Sequence, residues 1–170
     1  LSGAASYRLA DLLAVTPELA VSTQLWLFAG FAIAFAVKVP LMPFHMWLPD
    51  FHEQNHPSGA ADVAGTLYKV GAWGFFAWAL PLLPAAANLF APALITLAAI
   101  TAVYAAVIAT AQDNLKRFLA YASLSHMGIV GVGVFALNNV GLSGAMYLIA
   151  AQMVSTGGLF LIAGMLHERK

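Results

Sequence analysis

The sequence predicts an all-α polytopic membrane bundle of about five transmembrane helices, the first of them broken at Pro40 and Pro43. Two observations predict this class. Of the 170 residues, 62% are hydrophobic and only 8% are charged, whereas a soluble domain carries about a quarter charged residues. Several apolar runs also approach the roughly 20 residues needed to cross a bilayer core about 30 Å thick.

The polar and apolar stretches divide the chain into segments. Residues 1–21 are mixed in character and predict an extramembrane loop. Residues 22–170 predict the central portion of a larger transmembrane domain, because the chain has no starting Met, no signal-peptide pattern and an apolar run close to its last residue. The spans are predicted at about residues 22–49, 58–80, 88–111, 119–137 and 142–166.

The first span carries a lysine beside two prolines. Lys38 follows about fifteen apolar residues and precedes Pro40 and Pro43. Proline removes a backbone donor and clashes with the preceding turn, which predicts a helix interrupted at the lysine. A charge inside a span costs roughly 2.5 to 3.5 kcal/mol on insertion scales, so it normally faces a polar interior and marks an ion or proton path. Snorkelling to the interface is the alternative interpretation.

The second span carries Lys69 near its middle and Asp62 in its first turn. The two residues are about two turns apart on one face of a helix. A lysine normally titrates near 10.4, desolvation favours its neutral form, and a nearby carboxylate favours the charged form. A buried lysine whose partner changes can therefore take up and release a proton. Asp62 is also explained by the helix dipole, which favours a carboxylate at an N-terminus.

The third span is almost wholly aliphatic, and the last two contain further polar groups. The fourth span includes the run AYASLSHMG, in which His126 is either a hydrogen-bonded packing residue or part of a proton relay. Its glycines indicate close helix packing. The fifth span has Gln152, Ser155 and Thr156 at its centre.

Three other histidines, His45, His52 and His56, cluster near one predicted interface. Their spacing offers no fourth ligand for a zinc site, and the chain has no cysteine for iron–sulfur clusters or disulfides. Haem ligated by two histidines would need a histidine inside each of two spans, and only His126 qualifies. The sequence therefore predicts no cofactor and no metal in this chain.

The basic residues predict an orientation. Lys116, Arg117, Arg169 and Lys170 fall on one side of the five spans, and only Arg8 falls on the other. Because positive loops stay in the cytoplasm, the side with four charges is expected to be cytoplasmic. The zero formal net charge suggests no nucleic-acid partner.

Three stretches carry a resemblance to a known family: AFAVKVPLMPFHMWLPDFH, GTLYKVGAWG and AQDNLKRFLAYASLSHMG. Together they resemble the antiporter-like, M-type membrane subunits of the proton-pumping NADH:quinone oxidoreductase, respiratory complex I. The resemblance covers about residues 25–170 and keeps the order and spacing of the motifs. A lone lysine before a proline would not be specific.

The resemblance implies a proton-translocating subunit of an oxidoreductase, in which this chain alone is not catalytic. Lys38 and Lys69 match the lysines that carry protons along the membrane midplane, and Asp62 and His126 match positions with weaker roles. The implied partners are other complex I membrane subunits, the lipid bilayer and protons. FMN, iron–sulfur clusters and quinone belong to other subunits, and the implied location is the bacterial inner membrane.

Two features depart from the family pattern or are missing from the chain. Gln152 stands where many relatives have a histidine, and glutamine cannot titrate. The family glutamate that pairs with Lys38 lies on an earlier helix outside these residues. The open alternatives are a subunit of a sodium/proton antiporter or membrane-bound hydrogenase, and a structural membrane module whose lysines bind lipid headgroups.

Overall fold

The protein is a bundle of helices. The structure, a computed structural model, describes residues 6, 8–56, 59, 61 and 63–168, with the backbone alone at 167 and 168. Its helices are α1 (Leu9–Val15), α2 (Val21–Lys38), α3 (Trp47–Gln54), α4 (residues 63–82), α5 (Pro84–Thr110), α6 (Leu115–Phe135) and α7 (Asn139–Glu168). The described residues contain no strand, and the predicted all-α class is confirmed.

The first predicted span is broken where the prolines lie. The helix α2 ends at Lys38, residues 39–46 form turns, and α3 begins at Trp47. Pro40 and Pro43 both lie in these turns, where a missing N–H group interrupts no helical hydrogen bond. The predicted break at these two prolines is therefore confirmed.

Hydrogen bonds fasten the broken region to its surroundings. The backbone N–H of Met42 donates to Thr101 Oγ1 of α5 at 3.0 Å. The indole N–H of Trp47 donates back to the carbonyl of Val37 at 3.2 Å. Backbone groups released by the break thus find partners, as they must in a membrane interior.

The polar stretch after the break differs from the prediction. The first span was predicted to end at about residue 49, but the α3 helix continues to Gln54. The local composition is polar because Asp50 and Glu53 bind Arg117, which lies more than sixty positions further along the chain. A partner that distant cannot be read from the local pattern.

The helix α4 corresponds to the second predicted span and is irregular. It consists of four consecutive segments: π-helical Val63–Leu67, α-helical Tyr68–Gly74, π-helical Phe75–Ala79 and α-helical Leu80–Leu82. A π-turn adds a residue to the helical turn and is common at functional sites. Among the described residues, four helices are long and apolar enough to cross a membrane, namely α2, α5, α6 and α7. The interrupted α4 is not among these four, because none of its segments is longer than seven residues.

The helix α6 lies at the centre of the bundle. It packs along α5 and α7 and also contacts α3 and α4. Gly128 permits the approach to α5, because a Cβ placed there would lie 2.6 Å from the backbone nitrogen of Ala102. This contact fits the prediction that the glycines of this helix permit close helix packing.

The N-terminal segment is fastened to the opposite end of the bundle from the α5–α6 link. Residues 9–15 form α1, and a short 3₁₀ turn spans Thr16–Glu18. Gln24 of α2 is 1% exposed and donates from Nε2 to the carbonyls of Pro17 and Leu19, at 3.0 and 3.1 Å. Its Oε1 accepts from the backbone N–H of Ala85 at 3.2 Å. One amide thereby joins three elements.

Candidate functional site

Lys69 is a charged residue enclosed within the bundle. It lies on α4 just after the first π-helical segment and is 3% exposed. Its Nζ donates to the carbonyl of Ala64 and lies 4.6 Å from the centroid of the Tyr68 ring. Both contacts stabilise an ammonium group that has been removed from water.

Tyr68 links this lysine to the central helix. Its ring is fully buried, and its hydroxyl forms a hydrogen bond with Ser123 Oγ on α6. The same tyrosine therefore contacts Nζ of Lys69 with its ring face and α6 with its hydroxyl. The position of the lysine is tied through Tyr68 to that of α6.

His52 is the second buried polar group near Lys69. It lies on α3, is fully buried, and stacks on Phe160 of α7 with ring centroids 4.4 Å apart. Neither ring nitrogen of His52 has a protein hydrogen-bond partner among the described residues.

One face of α7 carries further buried polar side chains. Gln152, Thr156 and Phe160 are spaced four residues apart, so they lie on the same side of the helix. Gln152 and Thr156 are buried, and the Gln152 amide has no protein partner in the described part of the chain. Gly65, next to the Ala64 carbonyl that receives Lys69, approaches the backbone of this helix at Met153. Buried polar atoms of this kind normally bond to water.

Lys38 occupies a different environment. It is the last residue of α2 and is exposed on the face of that helix left uncovered within the described residues. Its Cβ nevertheless lies against α4, because a Cβ at Gly71 would lie only 2.9 Å from it. The structure therefore brings the helices of Lys38 and Lys69 together, and the role predicted for Lys38 stays a prediction.

The remaining predicted residues are dispersed. His126 is exposed on α6, and the contacts of Lys69 do not include it. Asp62 lies outside the described residues. His45 is buried in the turns after the break, where its ring lies edge-on to Tyr104 of α5 at 5.3 Å. Within the described residues, no three histidine or acidic side chains group as metal ligands.

Polar side chains join α3 to the start of α6. Arg117 Nη1 lies 2.5 Å from Glu53 Oε2 and 3.1 Å from Asp50 Oδ1. Asn114 donates to the other Glu53 oxygen at 3.1 Å, and Lys116 donates to the carbonyl of Asn55 at 3.3 Å. We call these four contacts the α3–α6 clamp.

Sequence reasoning missed two of the groups near Lys69. His52 was predicted near an interface with two other histidines, and Ser123 was noted only as part of a polar run. A signal for His52 exists, because it falls at the same helical face as the apolar Leu48. No pattern in the sequence pairs Ser123 with Tyr68, which is 55 positions away.

These features define a class: polytopic helical membrane proteins with a proline-broken helix and a lysine enclosed near it. A sequence model of the family described as "NADH:quinone oxidoreductase/Mrp antiporter, TM" matches residues 3–170. The chain belongs to this family.

Individual relatives agree with this assignment. The chain is 52% identical over 169 residues to NADH-quinone oxidoreductase subunit 13 of Thermus thermophilus, covering 99% of this chain and 36% of that protein. It superimposes on a chain of respiratory complex I from Thermus thermophilus with a TM-score of 0.91 and 51% identity, covering 98% of this chain and 35% of that one. The likeness is to M-type subunits of complex I, and the chain spans about a third of their length.

A more distant structure shares the fold. A chain of the Mrp complex from a Dietzia species superimposes with a TM-score of 0.74 at 18% identity, covering 91% of this chain and 34% of that chain. At this identity the likeness concerns the helical architecture. The predicted antiporter-like membrane subunit is confirmed at the level of family and fold.

Proposed function

We propose that the chain is part of a proton-translocating membrane subunit of NADH:quinone oxidoreductase. The observation that carries the proposal is the burial of Lys69, whose amine contacts a backbone carbonyl and a tyrosine ring. A charged residue is retained inside a membrane bundle chiefly where it moves or binds an ion. The family membership supports the same conclusion.

Lys69 has the contacts needed for a group that alternates between two protonation states. An ammonium has three donors, and a neutral amine keeps two donors and gains a lone pair. The Ala64 carbonyl accepts a hydrogen bond from either form. Within the described residues, which do not include Asp62, no carboxylate binds Nζ.

Lys38 supplies the earlier position in the proposed path. It lies at the end of a broken helix, where partners can change without disrupting helical hydrogen bonds. Its proton would pass toward Lys69, whose helix it contacts at Gly71. His126 and Asp62 remain weaker candidates for such transfers.

Coupling to quinone reduction belongs to the rest of the complex in this proposal. FMN, iron–sulfur clusters and quinone are assigned to other subunits, and this chain supplies no redox group. Its partners would be neighbouring membrane subunits, lipids and protons, with the bacterial inner membrane as its location. The charge or conformational change that follows quinone reduction would alter the partner of Lys38.

The test uses the intact complex, with the complete subunit, reconstituted in vesicles. Lys69→Met and Lys38→Met remove the titratable amine. Lys69→Arg keeps a positive charge, but its guanidinium does not release a proton. We expect each variant to lower NADH-driven proton pumping about tenfold or more, equivalent to about 1.4 kcal/mol in a barrier. The matched control is Arg8→Met, which removes an exposed cation outside the spans.

Assembly and NADH:quinone turnover are measured beside pumping. Lost pumping in assembled complexes would support the relay, and turnover falling in parallel would show tight coupling. Normal pumping in both Lys38→Met and Lys69→Met would overturn the proposal in favour of a structural module. Pumping that requires sodium and disappears in its absence would instead support a sodium/proton antiporter, the second function that the family description covers.

A further inference from the structure

The central helix α6 makes polar contacts with two parts of the site. Its first turn holds α3 through the α3–α6 clamp, and its middle holds Tyr68 through Ser123. Arg117 and Ser123 are six residues apart, about 9 Å along the helix axis. A single rigid element therefore contacts both the half-helix that bears His52 and the helix that bears Lys69.

The clamp is built around one arginine. Arg117 binds two carboxylates of α3 through Nη1, and its Nε lies 3.3 Å from Gln112 Oε1 of the α5–α6 link. A guanidinium holds several oxygen acceptors in fixed directions, which a lysine ammonium on a flexible stem does not. Asn114 binds the second oxygen of Glu53, so that carboxylate is held on both sides.

The clamp holds a helix that is separated from the preceding one by turns. The α3 helix follows eight residues of turns, and α2 is therefore not continuous with it. Its inner face places the buried His52 against Phe160 of α7, with ring centroids 4.4 Å apart. Arg117 holds its outer face. The position of the imidazole relative to Lys69 thus depends on a contact at the end of the bundle.

We infer that Arg117 is a positioning residue: through α6 it sets the half-helix α3, and with it His52, relative to Lys69. The inference rests on the proposed proton-translocating function. The effects of Arg117 and Tyr68 are then coupled, because Arg117 lies on α6 and Tyr68 bonds to it through Ser123. Substitutions at the two positions should then fail to act independently on proton transfer.

The experiment is a double-mutant cycle in the intact complex reconstituted in vesicles. The variants are Arg117→Gln, which removes the charge from the clamp, Tyr68→Phe, which removes only the hydroxyl bonded to Ser123, and their combination. The readout is the number of protons pumped per NADH oxidised. A loss of assembled complex changes the total activity but leaves this ratio unchanged, so the ratio separates positioning from a purely structural role.

We expect each single variant to lower the ratio about threefold. The double variant should lower it no further than the more strongly affected of the two single variants. The matched control is Ser125→Ala, which removes a hydroxyl of the same helix bonded to the Ala102 carbonyl at 2.8 Å, away from Lys69. Combined with Arg117→Gln, it should leave the ratio where Arg117→Gln alone puts it, and by itself it should leave the ratio unchanged.

Two results would overturn the inference. One is an unchanged ratio in Arg117→Gln, and the other is a double variant whose effect is the product of the two single effects. If Arg117→Gln does not assemble, Glu53→Gln replaces it, because the amide keeps the side-chain volume and one acceptor while losing the charge. Arg117→Lys should recover part of the ratio. Normal pumping in Lys69→Met, in contrast, would refute the proposed function whatever the cycle shows.

Discussion

Lys69 is held by neutral groups in the described part of the chain. A carbonyl and the face of an aromatic ring stabilise an ammonium without the fixed negative charge of a carboxylate. A permanent ion pair would favour one protonation state, whereas the carbonyl accepts a hydrogen bond from either state. The burial of Lys69 was predictable from a charge inside an apolar run, because few other placements are favourable. The groups on other helices were not, because no sequence pattern pairs Ser123 with Tyr68 or places His52 on an inner helical face beside Phe160.

At the other end of the bundle, Gln24 provides a test of how much the hydrogen bonds of a buried amide contribute to stability. Gln24→Leu keeps the volume but leaves two carbonyls and the Ala85 N–H without their partner. We expect it to lower stability by roughly 3 kcal/mol, since each unpaired buried group costs about 1–3 kcal/mol. The measurement is the thermal midpoint of the solubilised complex, reported by a fluorescent probe of this region.

The neighbouring exposed Thr23 supplies the control for this prediction. Thr23→Val preserves the branched shape and should change stability by less than about 0.5 kcal/mol. Gln24→Glu keeps the acceptor for Ala85 and loses the donor, and should fall between the two. Equal midpoints for Gln24→Leu and Thr23→Val would show that the amide network contributes nothing to stability.

At the scale of elements, the contact between α2 and α4 depends on the absence of a side chain. A Cβ at Gly71 would lie 2.8 Å from Val39 Cγ2, 2.9 Å from Lys38 Cβ and 3.2 Å from the Phe35 carbonyl oxygen. The Phe35 carbonyl and the Lys38 Cβ are fixed by the backbone of α2 and cannot rotate away. Any residue larger than glycine therefore separates the helices that bear Lys38 and Lys69.

Gly71→Ala should destabilise the bundle by about 1–3 kcal/mol through overpacking. It should also slow proton pumping, because the two lysine-bearing helices move apart. The matched control is Gly30→Ala on α2, where an added Cβ meets no atom within 4 Å and should stabilise the helix by about 0.5–1 kcal/mol. Thermal midpoints and pumping rates check both changes. Equal behaviour of the two variants would refute the steric argument.

The helices differ in how much of them could be predicted. The long apolar runs of α5, α6 and α7 predicted spans at 88–111, 119–137 and 142–166, and the helices occupy residues 84–110, 115–135 and 139–168. The π-helical segments of α4 were not predicted. They follow from packing against α2 and α7, and a uniformly apolar run carries no sign of one extra residue in a turn.

At the scale of the whole molecule, separate polar networks mark the two ends of the bundle. At one end, Gln24 joins the N-terminal segment to the start of α5. At the other end, the α3–α6 clamp joins α3 to the start of α6. The helices between them are lined mainly by apolar side chains. This arrangement fits a bundle that crosses a membrane, with polar contacts concentrated where water and headgroups are available.

The positive-inside rule assigns the clamp end to the cytoplasm, since Lys116 and Arg117 lie there. Two exposed residues at opposite ends of α6 test this orientation: Asp113, before the helix, and Asn139, after it. The chain contains no cysteine, so a single substitution introduces a unique thiol within it. In cells with the subunit's other cysteines replaced, Asn139→Cys should react with a membrane-impermeant maleimide added outside the inner membrane. Asp113→Cys should react only in inverted vesicles. The reverse pattern would refute the orientation, and labelling of both from one side would refute α6 as a membrane-crossing helix.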